Sequence, residues 1–319
     1  MTASRASDAA LALVLERNAR MHTATSVARG RAFDARASDV FIATYPKAGT
    51  TFCTQMCHQM RCAASGADGE AFGEITEVVP WDVLAHDCGQ SLEEAQVCAP
   101  RLFKSHERAD AIAEGGRYVC VVREPRDVFH SFYEFLPAYC GIESGVIEKE
   151  AFAEAIFAGA SHSGGFAGHY LSWWERLERE PERVIMFCFE DMKENLGEVV
   201  DAVSAFMGIE LDDAGRELVL ERCGFEYMKN NPKFDDHFVR SKVAKQMGIE
   251  GTVFTVGKVR EGGGAVGHGS RELPQTVCDR IQEKWNAELA PAGFATYDDF
   301  RRELRARWTK WLTRERIRE

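Results

Sequence analysis

A chain of 319 residues, 45% hydrophobic and 28% charged, is a globular protein long enough to bury a core without disulfide staples. Its net charge of -11 excludes a general nucleic-acid binder, because no overall positive field would draw in a phosphate backbone. An anion bound here is held by a local nest of donors working against that field.

In chain order, the opening segment carries Arg5, Asp8, Glu16 and Arg17 inside an apolar run, so it reads as a helical extension over residues 1–35 and not as a signal peptide. No apolar stretch is long enough to span a membrane, and no membrane partner is expected. The first strong β-rich run is Val40 to Tyr45. It stops at Pro46, and a helix is predicted from about Thr50 to Cys62. A shorter strand ends near Phe103, and two more runs lie at Tyr118–Val122 and Val184–Phe189. Helices are predicted around 125–137, 150–158, 166–179, 192–207, 212–222, 276–288 and 296–312. The span 225–270, rich in Gly, Lys and Asn, reads as a long loop region with a little regular structure. Short apolar runs without strict alternation, separated by helices, predict parallel strands buried on both faces. The fold class is α/β: one domain over 36–319 with a central parallel sheet flanked by helices. Arg301–Glu319 carries eight basic against three acidic residues and reads as a solvated amphipathic helix.

Ten cysteines in a chain this long, without a secretory leader, read as reduced and mostly buried thiols of a cytoplasmic protein. Cys53, Cys57, His58 and Cys62 crowd together, but no C-x-x-C pair accompanies them. Cys53 and Cys57 share one helical face, so no metal is expected.

The chemistry is concentrated in Tyr45-Pro46-Lys47-Ala48-Gly49-Thr50-Thr51-Phe52, where the first strand meets the first strong helix. Ligands of open parallel sheets gather at the carboxyl ends of strands. Gly49 permits close backbone approach, the first helical turn offers unpaired amides and a favourable dipole, and Lys47, Thr50 and Thr51 add donors. This is P-loop logic without the Walker spacing, since Lys47 precedes Gly49, so a nucleoside-triphosphate hydrolase or kinase is disfavoured. A later Gly262-Gly-Gly264-Ala-Val-Gly267 reads G-x-G-x-x-G. The His268–Pro274 stretch behind it does not start a helix promptly, and a dinucleotide site is not expected there.

The loop resembles the 5′-phosphosulfate-binding loop of the cytosolic sulfotransferases, and further segments similar to that family follow in order. They are Arg123-Glu-Pro-Arg-Asp-Val-Phe-His-Ser131, Ser172-Trp173-Trp174, Phe189-Glu190-Asp191-Met192-Lys193-Glu194-Asn195, Phe225-x-x-Met228-Lys229-x-Asn231-Pro232, and Val259-Arg260-Glu261-Gly262 with Gly267 beyond. The resemblance implies a sulfotransferase fold and transfer of a sulfonate group from 3′-phosphoadenosine 5′-phosphosulfate (PAPS) to a small-molecule acceptor, releasing PAP. Lys47, Ala48, Gly49, Thr50 and Thr51 would then hold the 5′-phosphate, and Phe52 would stack on adenine. Arg123, Ser131, Arg260 and Gly262 would grip the 3′-phosphate, with Phe189, Cys223, Phe225 and Val259 as further contacts. Lys104-Ser105-His106 matches the family's Lys-x-His segment, which makes His106 the general base. Lys47 would stabilise the leaving phosphate and Lys104 the sulfonate. Trp81, Phe135 and Tyr139 are candidates for an apolar acceptor pocket.

The chain departs from the family pattern at several points. Glu261 stands where a Lys is usual, Phe189 where a Tyr is, Cys223 where a Thr is, and Phe52 where a Trp commonly stacks. His268-Gly269-Ser270 replaces Asp-Trp-Lys. The family's dimerisation motif is not recognisable, which leaves the oligomeric state open. A non-catalytic PAP-binding protein is the alternative reading.

Overall fold

The structure is a computed structural model, and it describes residues 3–160, 163–229, 231–253, 257–259 and 266–315. The chain begins with helices α1 (Ala3–Ala19) and α2 (Ala24–Arg31), then enters β1 (Val40–Thr44), α3 (Thr50–Ser65) and the short α4 (Ile75–Val78). Strands β2 (Leu102–Ser105) and β3 (Arg117–Val122) precede α5 (Pro125–Tyr139), α6 (Lys149–Ala155) and α7 (Phe166–Arg179). Strand β4 (Val184–Cys188) leads to α8 (Phe189–Glu194), α9 (Leu196–Met207) and α10 (Asp213–Arg222). The remainder holds α11 (Phe225–Met228), α12 (His237–Met247), α13 (Gly269–Glu272), α14 (Gln275–Glu288) and α15 (Tyr297–Glu315).

The four strands pair in parallel in the order β2-β1-β3-β4. They are buried almost throughout, yet they still alternate between two cores because successive side chains leave opposite faces of a strand. Phe41, Ala43, Phe103, Tyr118, Cys120 and Val122 pack with residues of α5, α7 and α14, whereas Val40, Ile42, Leu102, Val119 and Val121 pack with α3 and α9. Phe41 lies in register with Phe103 and Tyr118, and its ring is 5.2 and 5.6 Å from theirs. This aromatic ladder locks the order of the three strands. At the opposite edge of β1 and β2, Arg101 donates to both oxygens of buried Asp39, at 2.9 and 2.6 Å, and fixes their relative height.

Local signals set the helix ends. Gly66 takes the left-handed conformation after α3, with Ala67 N–H donating to Cys62 O at 3.0 Å, which stops the helix. Pro125 opens α5 behind Glu124, whose carboxylate accepts from Asp127 N–H at 3.0 Å.

Two expectations need correction. The helix expected over 192–207 is broken at Asn195 into α8 and α9, where the backbone leaves the helical region (φ -137°, ψ 43°). The span read as a loop region with a little regular structure holds more than that, including the eleven-residue α12. Only Val239, Val243 and Met247 of α12 are buried. A stripe that narrow among Lys, Arg and Gln gives little helical signal until a core is there to receive it. The basic C-terminal segment packs Phe300, Leu304 and Trp308 inward, and Arg301 pairs with Asp191 and Glu194. Among the described residues no helix is long and apolar enough to cross a membrane.

Candidate active site

All four strands end at one place. Tyr45 follows β1, His106 follows β2, Arg123 follows β3 and Phe189 follows β4, so four chain segments far apart in sequence meet at the carboxyl edge of the sheet. A cavity of about 420 Å³ opens there.

Its floor is the turn from β1 into α3. Lys47 and Gly49 both have positive φ, +69° and +112°. A Cβ on Gly49 would also sit 2.6 Å from the Phe189 ring, so both backbone and packing demand glycine. Gly49 caps α3 without a side-chain bond, leaving the first-turn amides for an anion. Thr50 and Thr44 share a hydrogen bond between hydroxyls at 2.6 Å. With Thr44 as donor, Thr50 keeps its own proton for a ligand oxygen. Ala48 does not line the cavity. It is buried, and its N–H donates to Tyr45 O at 3.1 Å, shaping the turn.

His106 is buried, and its Nδ1 lies 2.7 Å from the Thr44 carbonyl. A carbonyl only accepts, so Nδ1 carries the proton and Nε2 keeps a lone pair. Burial, with Lys104 nearby, holds this imidazole well below its usual range and therefore neutral. The strand-end segment behind it is clamped. Trp173 Nε1 donates to Glu107 O at 3.2 Å, Ala109 N–H donates to Ser172 Oγ at 3.2 Å, and Arg31 pairs with Glu107 at 2.6 Å. Ser172 and Trp173 of the family-like segment thus steady the segment that carries His106 without reaching the cavity, which neither lines.

Each candidate catalytic lysine lies against an aromatic ring. The ammonium of Lys47 is 3.8 Å from the centre of the Phe135 ring, and that of Lys104 is 3.9 Å from Trp81. Trp81 also meets the His106 ring edge-on at 4.8 Å. Trp81, Phe135 and Tyr139 are all buried and all line the cavity, and each has a cation over its ring, Arg240 lying 5.9 Å from the centre of Tyr139. Lys104 is pushed down to about 8, chiefly by burial, with Asp236 opposing. The Lys104 ammonium is 3.6 Å from Asp236, and Lys258 is 2.6 Å from the same carboxylate oxygen.

At the other end, the Arg123 guanidinium lies over Phe189 at 4.7 Å, donates to Lys47 O at 3.4 Å and stands 3.7 Å from Asp127. Asp127 accepts from Gly267 N–H at 2.9 Å and Gly269 N–H at 2.6 Å, tying the glycine-rich segment to α5. A Cβ on Gly269 would come within 2.3 Å of the Arg126 backbone, which is the physical reason a glycine stands there. Arg260 and Gly262 lie outside the described residues. Thr51, Phe52, Ser131, Phe189, Cys223, Phe225 and Val259 line the cavity. Glu190 and Asp191 brace the site: Glu190 accepts from Glu124 N–H and from Tyr297 OH, and Asp191 accepts from Arg301.

Sequence reasoning missed Asp236 and Lys258, and also Asn18, Met21 and His22, which bring the end of α1 and the segment after it to the cavity wall. Nothing in their spacing marks them, because each is delivered by tertiary packing alone. Among the described residues, no cluster of three or more His, Cys, Asp or Glu is arranged to hold a metal ion.

By fold and donor set this is an α/β protein with a P-loop-like anion cradle at the carboxyl edge of its sheet. A family profile described as the sulfotransferase domain matches residues 37–255, and the chain belongs to that family. Sulfotransferase 1B1 of Canis lupus familiaris is 28% identical over 212 residues, covering 63% of this chain and 69% of the relative. Cytosolic sulfotransferase 1 of Danio rerio is 27% identical over 209 residues, covering 62% and 69%. Mouse sulfotransferase SULT7A1, solved with PAP, matches at a TM-score of 0.59 and 18% identity over 90% of this chain and 94% of its own. Retinol dehydratase, solved with androsterone and PAP, matches at 0.59 and 16% identity over 80% and 81%. These two likenesses concern the fold, which is the sulfotransferase fold.

Proposed function

We propose that the protein transfers a sulfonate group from PAPS to a hydroxyl or amine of a small-molecule acceptor and releases PAP. The single observation that carries this reading is the convergence of His106, Lys47 and Lys104 on the cavity that also receives the α3 amides and Arg123. Two anion-holding ends joined by a base and two cations suit a donor with phosphate groups at both its 5′ and 3′ positions.

The chain's own groups divide the work. The amides of Thr50 and Thr51 and their hydroxyls hold the 5′-phosphate, and Arg123 with Ser131 holds the 3′-phosphate. Arg260 and Gly262 are proposed to complete that grip. Phe52 and Phe225 supply apolar faces for the adenine. Nε2 of His106 removes the acceptor proton as the acceptor oxygen or nitrogen bonds to sulfur. The bond from sulfur to the bridging oxygen breaks on the opposite side. Lys47 stabilises the negative charge that collects on that oxygen, and Lys104 stabilises the sulfonate oxygens. The proton rests on His106 and leaves with solvent. We place the reaction in the cytosol, in keeping with the name of the Danio rerio relative and with cysteines that are all unpaired.

Labelled PAPS offered with a panel of phenols, alcohols and amines tests the proposal. The native protein is expected to label at least one acceptor. His106→Ala is expected to lose transfer while binding PAP nearly as well. A variant that keeps native turnover removes His106 from the mechanism.

A further inference from the structure

We propose that Asp236, shared between Lys104 and Lys258, is a positioning residue that holds Lys104 as an ammonium in the wall of the cavity. The role given to Lys104 rests on the function proposed above. The three-residue cluster stands on geometry alone.

Asp236 and Lys47 are the only non-glycine residues with positive φ among the described residues, and both line the cavity. Left-handed backbone in a residue with a Cβ persists where the surroundings over-determine it, and it gathers at functional sites. Asp236 precedes α12, where an aspartate usually caps the helix, but its side chain makes no capping bond. The carboxylate turns to two ammonium groups instead, 2.6 Å to Lys258 and 3.6 Å to Lys104. The side chains of Asp236 and Lys104 are 4% and 5% exposed. A buried ammonium without a counter-charge sheds its proton.

The groups facing Lys104 pull in both directions. Asp236 and Glu74 favour its charge, whereas burial and Lys258 oppose it. Glu74 is itself pushed up to about 7, first by burial and then by Asp236, so near neutrality it is only half available as a counter-ion. His106 is neutral, and Tyr139 and Cys88, both near Asp236, are held protonated chiefly by burial. Asp236 is therefore the one fully ionised carboxylate in this group, held low by Lys104 and Lys258 against its own burial. Lys258 sits closer to it and so moderates what reaches Lys104. A lysine that must stabilise a sulfonate is useful only while charged, and a base that must take a proton is useful only while neutral. The cluster keeps both conditions in one pH range.

The test uses the full chain as wild type, Asp236→Asn and Lys258→Met. Two profiles are recorded against pH: turnover with PAPS, and reductive methylation of Lys104 followed by mass spectrometry. Asp236→Asn is expected to move both profiles down by about one unit or more, which means about tenfold lower turnover at pH 8.5 with little change at pH 6.5. Lys258→Met is expected to move both up. An Asp236→Asn protein that keeps the wild-type methylation profile, or loses turnover equally at every pH, overturns the proposal. If Asp236→Asn does not fold, an unmoved Lys258→Met methylation profile overturns it instead. If the wild type transfers nothing from PAPS, the proposed function fails, and the methylation profiles still decide the inference.

Discussion

The two ends of the cavity are made in different ways. The end proposed for the 5′-phosphate comes from one stretch of eight residues, Tyr45 to Phe52, in which strand, turn and helix are consecutive and backbone amides of the first helical turn face the cavity. The end proposed for the acceptor is a meeting of side chains from β2, from the end of α1 and the segment after it, from Trp81, from the start of α12 and from Lys258. Backbone donors at a helix N-terminus survive most substitutions, because every residue but proline has an N–H. A constellation of distant side chains changes with any one of them. The difference teaches that one end of such a site stays constant by construction while the other is open to specialisation.

That contrast can be broken by experiment, and the largest effect is expected at Arg123. This residue is nearly fully buried, at 5% exposure. Arg123→Ala is expected to weaken PAP binding by a factor of about a hundred or more, the range for truncating a buried charge partner. Binding of adenosine 5′-phosphosulfate should fall far less, and calorimetry with both ligands checks the ratio. Equal losses would mean that Arg123 supports the loop through Lys47 O and does not read the 3′ position.

Next in size is Gly49→Ala. Left-handed backbone with a Cβ costs about 1–3 kcal/mol, and the clash with Phe189 adds to it. PAP and adenosine 5′-phosphosulfate should therefore weaken together, by about ten- to a hundredfold. Retained affinity would show that the loop geometry is not what binds.

The alkaline limb of wild-type turnover gives a third handle. With Lys104 acting as proposed, activity requires its charge and should fall as pH rises through about 8, with no acid limb near 6.5 because His106 is already neutral there. A profile controlled by a group near 6.5 would contradict the buried, neutral imidazole. The smallest effect belongs to the acceptor wall. Trp81→Phe replaces the better cation–π surface under Lys104 with a poorer one, worth about 0.5–1 kcal/mol. Turnover should drop by about two- to fivefold with PAP affinity unchanged. A change in PAP affinity instead would mean that the two ends are coupled.

Much of this was legible before any coordinates. The four strands, their parallel class and most helices follow from apolar run length and the turn residues between runs. The anion cradle is readable because a strand, a glycine turn and a helix are contiguous. His106 is different: as one of nine histidines it has no local mark, and only its place in Lys104-Ser105-His106 singled it out. Its tautomer came with the Thr44 carbonyl, a contact across 62 residues of chain.

The chain by itself determined that an anion would be met at the end of β1, since propensity, glycine freedom and helix polarity act over a few neighbouring residues. Tertiary structure alone decided what faces that anion. The left-handed backbone at Asp236, the placing of Lys104 between Trp81 and a carboxylate, and the approach of Met21 and His22 arise from packing between segments that are not neighbours in the chain. Periodicity carries no trace of them, because their positions are set by burial and charge compensation within the assembled fold.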